Sequence, residues 1–303
     1  EKFFKYGVSE GLPSLDVRDI IFDSSNAMWF VSDGGGLCRF DFDSFEFIHL
    51  DDNSNLFKSR DYTALLMDKN SEIWVGSRHD GLKLIKGNRV FKVSNESEQV
   101  STGINSIIQD SVNHVWVASS DGLDKYSSDS VESFHFDKNY EFNNLLELGE
   151  NEIWIASSQG LLVIRDSEVS EILFTNTDFN KNVKSLFKDS RDRLWIGTEK
   201  GLIYSAENDF LSYYEVTDMN LRSIESIFED SRGLMWFGTK EEGVFIFDGK
   251  RFLNVKERDG LSNNTVWSIA EDKLQNIWLS TEIGLTNFDF SNFENEEFLG
   301  NES

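Results

Sequence analysis

Apolar and polar positions repeat along this chain in one frame. Seven tryptophans, Trp29, Trp74, Trp116, Trp154, Trp195, Trp236 and Trp278, recur at intervals of 45, 42, 38, 41, 41 and 42 residues. Twelve residues before each stands an apolar residue: Val17, Tyr62, Ile104, Phe142, Val183, Ile224 and Val266. Nine before stands Ile20, Leu65, Ile107, Leu145, Leu186, Ile227 or Ile269. Six before stands an aspartate in six copies (Asp23, Asp68, Asp110, Asp189, Asp230, Asp272), with Leu148 in the remaining one. Three after is always a hydroxyl, Ser32, Ser77, Ser119, Ser157, Thr198, Thr239 or Thr281, and a Gly-apolar pair such as Gly201-Leu202 or Gly284-Leu285 follows.

The apolar segments are short, β-branched and aromatic, and Asp, Ser, Asn and Gly separate them, which is strand and turn chemistry. Each repeat reads as four strands: A like Val17 to Phe22, B around the Trp like Met28 to Val31, C like Leu37 to Phe40, and D like Phe45 to Leu50. A period of ~40–45 residues made of four strands is the signature of a propeller blade. The expected fold is therefore all-β, a seven-bladed β-propeller with four antiparallel strands per blade, in one domain over residues 1–303. Residues Phe3 to Tyr6 and Gly11-Leu12 align with Phe252 to Val255 and Gly260-Leu261, so the N-terminus reads as an outer strand D that closes the last blade. Such closure removes the edges that an open ring would expose. Residues 292–299 are a competing outer strand, and 290–303 otherwise lead towards a following domain.

Aspartate six before the Trp is expected to bond the amides of the A-to-B turn. A metal or catalytic role is the alternative, but six near-identical copies around a ring describe a scaffold rather than one reaction centre. The Gly after the B-to-C loop is expected to adopt a positive φ or to permit close approach.

Composition narrows the function. The 303 residues carry 29 Lys+Arg against 54 Asp+Glu, a formal net charge of −25, which repels nucleic acid and anionic membrane surfaces alike. Single Cys38 excludes an intrachain disulfide and a Cys-based zinc site. Four histidines, His49, His79, His114 and His135, fall in different repeats without ligand spacing. "DGGG" at 33–36 leads into a strand rather than a helix, so it is no phosphate cradle. No cofactor is expected.

At the level of motif, "DSRDRLWIGTEKGL" (189–202), "DSRGLMWFGTKEEGV" (230–244) and "DGLSNNTVWSIAED" (259–272) resemble the two-component regulator propeller repeat. Repeats five to seven carry the likeness most strongly, and repeat four, which lacks the Asp, most weakly. The resemblance implies a non-catalytic, periplasmic, ligand-sensing ectodomain of a histidine kinase or hybrid two-component system. Its ligand would be an oligosaccharide or similar nutrient, and homodimerisation would run through attached domains. The rival readings are a streptogramin-lyase-like propeller enzyme and a protein-binding platform; one proline and scattered histidines weigh against the lyase.

Recognition should lie where the repeats differ. Arg78 and His79, with Asp80 and the preceding Arg60, form the densest charged loop cluster, and Lys200 and Lys240 stand in neighbouring B-to-C loops. Each is equally the kind of residue that a solvated, ion-paired loop displays. Trp267 is the one Trp outside the repeat frame. It lies eleven before Trp278, where the other copies carry Arg18, Thr63, Asn105, Asn143, Lys184 and Glu225. A polar column on the innermost strand predicts the mouth of the central channel, with Trp267, Arg18 and Lys184 as candidate ligand contacts.

Overall fold

The computed structural model describes residues 3–42, 45–47, 60–87, 89–94, 102–120, 122–134, 136, 140–172, 182–206, 209–215 and 223–289. Strand β1 (Phe3–Tyr6) comes first, followed by blade I, β2 to β5 (Val17–Phe22, Met28–Ser32, Gly36–Phe40, Phe45–Phe47). Blade II is β6 to β9 (Tyr62–Met67, Ile73–Ser77, Leu82–Lys86, Arg89–Val93), and blade III is β10 to β13 (Ser106–Gln109, Val115–Ser119, Gly122–Tyr126, Val131–Phe134). Blade IV is β14 to β17 (Phe142–Gly149, Glu152–Ser157, Gly160–Arg165, Glu168–Ile172), and blade V is β18 to β21 (Val183–Lys188, Leu194–Thr198, Gly201–Ala206, Asp209–Glu215). Blade VI is β22 to β25 (Ile224–Glu229, Met235–Thr239, Val244–Phe247, Phe252–Val255), and β26 to β28 (Val266–Glu271, Ile277–Thr281, Gly284–Phe288) begin blade VII. The sheet order β26-β27-β28-β1 completes the ring with the N-terminal strand, antiparallel in the register Phe3↔Phe288 to Tyr6↔Leu285. The competing segment 292–299 lies outside the described residues.

The repeated apolar frame builds cores between blades rather than within them. Trp236, Val244 and Ile246 of blade VI pack with Val266, Ile269, Ile277 and Leu279 of blade VII. At the closure, Trp278 and Leu285 pack with Val17, Ile20, Met28 and Phe30. The residues twelve and nine before each Trp are thus the face that a blade presents to its predecessor, and each aliphatic side chain so buried contributes about 1.5–3 kcal/mol.

Aspartate does what its spacing predicts and more. Asp230 Oδ1 accepts the amides of Arg232 and Leu234, both at 2.9 Å, which fixes the A-to-B turn, while Oδ2 accepts the Trp236 indole N–H at 3.0 Å. The same carboxylate-to-indole bond joins Asp23 to Trp29, Asp68 to Trp74, Asp110 to Trp116, Asp189 to Trp195 and Asp272 to Trp278. A tryptophan can be buried between blades because its one polar atom has this acceptor. Blade IV, which lacks the Asp, substitutes Glu152, whose Oε1 accepts the Trp154 N–H at 2.6 Å and the Arg165 guanidinium at 2.8 Å.

In blades II to VII the hydroxyl three after the Trp closes the B-to-C loop by donating to the following glycine's carbonyl, as in Thr198 to Gly201 at 3.0 Å and Thr281 to Gly284 at 2.8 Å. Those glycines hold positive φ, from 75° at Gly81 to 148° at Gly201. On the opposite face a carboxylate of the incoming A strand caps its predecessor's turn in three places. Glu229 takes the Ser190 amide and hydroxyl, Glu271 those of Ser231, and Glu147 those of Ser111. The N-terminal leader repeats the connection into blade VII: 3-10 turns at Val8–Glu10 and Glu257–Asp259 precede Gly11 and Gly260, then buried Leu12 and Leu261.

Candidate functional site

The inner strands β2, β6, β10, β14, β18, β22 and β26 stand side by side around the central channel. Six of them carry a register shift near their start, between Val17 and Asp19, Tyr62 and Ala64, Phe142 and Asn144, Val183 and Ser185, Ile224 and Ser226, and Val266 and Ser268. The residue skipped in each pairing is the one eleven before the Trp. A bulge leaves that residue out of the ladder and re-aims its side chain. The polar column therefore converges on a channel cavity of about 280 Å³, lined by Arg18, Thr63, Asn105, Asn143, Lys184, Glu225 and Trp267 with the next column behind them.

These seven residues divide into two arcs. Across blades II to IV they stitch the ring: Thr63 Oγ1 donates to the Ile104 carbonyl, Asn105 Nδ2 to Phe142 at 2.8 Å, and Asn143 Nδ2 to Val183 at 2.6 Å. Across blades V, VI, VII and I the side chains are Lys184, Glu225, Trp267 and Arg18, and none of their end groups bonds a neighbouring blade's backbone among the described residues. Lys184 has no carboxylate partner among the described residues. Glu225 Oε1 accepts the Ser223 hydroxyl at 2.6 Å. Arg18 pairs with Asp16 at 2.5 Å and lies 4.5 Å from the centroid of the Trp267 ring. One indole face is thereby covered by guanidinium, which narrows the role of Trp267 as an open platform.

Among the described residues, Arg18 Nε and Ser226 Oγ on this arc are buried without a hydrogen-bond partner, while the buried Trp267 indole N–H is set against the Asp16 carboxyl. Burial pushes the Asp16 carboxyl up from the usual range, while Arg18 and the Trp267 indole pull it back. Behind the arc lies Asp19, whose carboxylate bridges three blades by accepting the Leu65 amide at 2.8 Å and the Ser268 hydroxyl at 2.9 Å. Loss of solvent raises its pKa to about 6 against those bonds. Asp16, Asp19 and Glu225 escape a search for unusual loops. Asp19 is nonetheless visible by column, because its counterparts are Ala64, Ser106, Asn144, Ser185, Ser226 and Ser268.

The loop candidates sit on the same face as the mouth. Asp33 and Asp61 form an isolated bridge there between blades I and II. Arg78 Nη1 lies 3.9 Å from Asp33 Oδ2, His79 Nδ1 lies 3.0 Å from Asp61 Oδ2, and the Gly34 amide donates to the Arg60 carbonyl. Arg60, Arg78 and His79 thus come together, but as an exposed ion-paired rim; the His79 side chain is 67% exposed. Lys200 and Lys240 are exposed on the loops of blades V and VI and do not line the channel cavity. A larger depression of about 830 Å³ lies at the rim between β1 and residues 257–260, lined by Phe3, Phe4, Lys5, Tyr6, Glu257, Arg258 and Asp259.

Three stretches, 178–200, 218–241 and 260–282, match the family model described as two component regulator propeller. These three of the seven repeats carry that family's pattern. Its fold is shared with the extracellular domain of a protein assigned as the hybrid two component system BT3049 of B. thetaiotaomicron, at TM-score 0.81 and 20% identity over 95% of this chain and 41% of that one. The extracellular domain of BT4673 from the same organism aligns at TM-score 0.80 and 21% identity, over 100% of this chain and 42% of that one. The chain therefore spans about two fifths of the length of those two structures. A catalytically inactive virginiamycin B lyase of Staphylococcus aureus with quinupristin aligns at TM-score 0.73 and 12% identity, over 94% of this chain and 98% of that one. No curated protein matches the sequence.

Proposed function

We propose that this propeller is a non-catalytic ligand-sensing domain of a two-component signalling receptor, held on the periplasmic side of a membrane, and that it binds an oligosaccharide or similar nutrient on the face holding the channel mouth. The observation that carries this reading is the divided ring. Seven blades share one scaffold, yet the side chains eleven before the Trp bond the next blade's backbone in three blades and not in the other four. Blades used only as a rigid platform have no need of that asymmetry, whereas a site needs a few placed polar groups in a concave setting. The repeat family and the extracellular domains with this fold support the signalling context. Homodimerisation through attached domains would let occupancy alter the output.

Calorimetry against a panel of oligosaccharides, repeated with Trp267→Ala, tests the reading. A glycan that binds the wild-type domain and loses at least tenfold in affinity in the variant is expected. No binding across the panel, or an affinity unchanged by the substitution, refutes the site. The lyase fold in its full length supports a second, enzymatic reading. Metal-dependent turnover of a streptogramin that is lost in His79→Ala would establish it.

A further inference from the structure

Neighbouring blades meet along the wall of the channel, where the residues eleven and ten before the Trp face the cavity in every blade. Between blades I and II the Asp19 carboxylate accepts the Leu65 amide, and between II and III Thr63 donates to the Ile104 carbonyl. Two bonds cross from III to IV, Asn105 to the Phe142 carbonyl and the Leu145 amide to Ser106 Oγ. Two cross from IV to V, Asn143 to the Val183 carbonyl and the Leu186 amide to Asn144 Oδ1. Ser185 Oγ donates to the Ile224 carbonyl between V and VI at 2.8 Å. Between VII and I, where β1 closes the ring, Ser268 donates to Asp19 at 2.9 Å, Arg18 lies 4.5 Å from the Trp267 ring centroid, and the Trp267 N–H is set against the Asp16 carboxyl. Between VI and VII no side chain of either column bonds across the junction among the described residues. Glu225 turns to Ser223 of its own blade, and Ser226 Oγ is buried without a partner.

Ser226 fails where Ser185 succeeds. A Cβ added at Gly197 would stand 2.2 Å from Ser185 Oγ, and one added at Gly238 2.3 Å from Ser226 Oγ, so both hydroxyls sit in the same notch of their blades. In other respects the junctions VI–VII and VII–I are matched. Each carries one amide bond at the loop face, Gly243 to the Asn264 carbonyl at 2.7 Å and Gly284 to the Leu15 carbonyl at 2.6 Å. Each is bonded again at the opposite face, Ser231 to Glu271 in one and Lys273 to Asn26 and Ser24 in the other. Each encloses an apolar core around a repeat tryptophan, Trp236 or Trp278. The wall is what differs. One net hydrogen bond shifts an equilibrium roughly two- to twelvefold, so the contacts that cross VII–I and not VI–VII exceed about tenfold together. The outer rim adds to the contrast, because the depression of about 830 Å³ lies between β1 of blade VII and the residues 257–260 that arrive from blade VI.

We infer that the ring opens first between blades VI and VII, and that blade VII moves as one body with β1 and blade I. The weak junction is therefore not the one where the ends of the ring meet but the next one along. Opening there parts Glu225 from Trp267 and widens the channel mouth on the arc that does not stitch to the next blade's backbone. It needs no ligand, so it stands or falls apart from the sensor reading.

Thiol labelling of the 303-residue protein provides the test. Val17, Val183 and Val266 hold the same repeat position and are fully buried in the cores of junctions VII–I, IV–V and VI–VII. Each is changed singly to Cys in a Cys38→Ala background, and its reaction with iodoacetamide under native conditions is followed by mass spectrometry. Each rate is divided by that variant's global unfolding constant from urea denaturation, so that a variant which is merely less stable does not mimic local opening. Val266→Cys is expected to react at least tenfold faster than Val17→Cys or Val183→Cys on this scale. Removing the wall bonds of IV–V with Asn143→Ala and Asn144→Ala together should raise the Val183→Cys rate at least fivefold and leave Val266→Cys unchanged. Rates within twofold of one another for the three cysteines, or Val17→Cys reacting faster than Val266→Cys, overturn the inference. So does a Val183→Cys rate that the two alanines do not move, because the wall bonds would then not govern opening.

Discussion

Replacing Asp230 by Ala removes a single carboxylate that holds a turn and a core at once. Its two oxygens accept the Trp236 indole and the amides of Arg232 and Leu234 at 2.9–3.0 Å, and its side chain is 0% exposed. The loss falls unevenly on the three donors. Trp236 is fully buried in the core between blades VI and VII, so its N–H has no access to water and costs ~1–3 kcal/mol when left unpaired. The turn amides lie near solvent and recover part of their bonds from water, at ~0.5–1 kcal/mol each. The substitution should therefore destabilise the domain by about 3 kcal/mol. Urea unfolding followed by far-UV circular dichroism gives the number, with the slope checked for constancy. Trp236→Phe removes the orphan donor, so Asp230→Ala in that background should cost ~1–2 kcal/mol less, a coupling well above the ~0.5 kcal/mol scatter of independent sites. Additivity within that scatter, or a loss below ~0.5 kcal/mol for Asp230→Ala alone, would refute the dual role. Asp23→Ala is the internal comparison: its carboxylate is 16% exposed and Trp29 only partly buried, so the cost should be smaller.

Glu152→Ala should cost ~1–3 kcal/mol because it strips the Trp154 indole of its acceptor, and Glu152→Gln, which keeps an oxygen there, should cost less in the same urea assay. Asp19, raised to about 6 in the folded state against ~3.9 unfolded, takes up its proton first in the native protein as pH falls. That site should add stability between about pH 7 and pH 4, so the wild-type-minus-Asp19→Asn difference in melting temperature should rise over that interval; a flat difference would show that Asp19 does not titrate there. Gly260→Ala puts a methyl 2.5 Å from the Phe3 ring at a φ of 128°, which should loosen β1 and lower the melting temperature by several degrees, with faster hydrogen exchange at Lys5 and Tyr6 as the local readout.

Much of this architecture is written in the one-dimensional pattern. Period, strand count and ring closure follow from residues whose roles are set by their own repeat: an apolar face every blade must bury, a carboxylate that must reach amides two and four positions on, and an N-terminal segment that copies the approach to blade VII. Those are local constraints, and local constraints leave local marks. The column eleven before the Trp likewise announced the channel, because a polar residue on an inner strand has nowhere else to go. What the column could not disclose is that its residue is the bulge, since a bulge is defined by pairing with the next strand. Nor could it show that Thr63, Asn105 and Asn143 reach across to the following blade while Lys184, Glu225 and Trp267 do not, for those partners lie about 40 residues away and are fixed only when the ring closes. Blade IV makes the same point: Leu148 breaks the motif, and only side-chain geometry shows Glu152 supplying the missing acceptor. Repetition determined the scaffold from the sequence alone, whereas the character of the mouth, with its covered indole face and its two unlike arcs, was decided by contacts between blades that no single repeat contains.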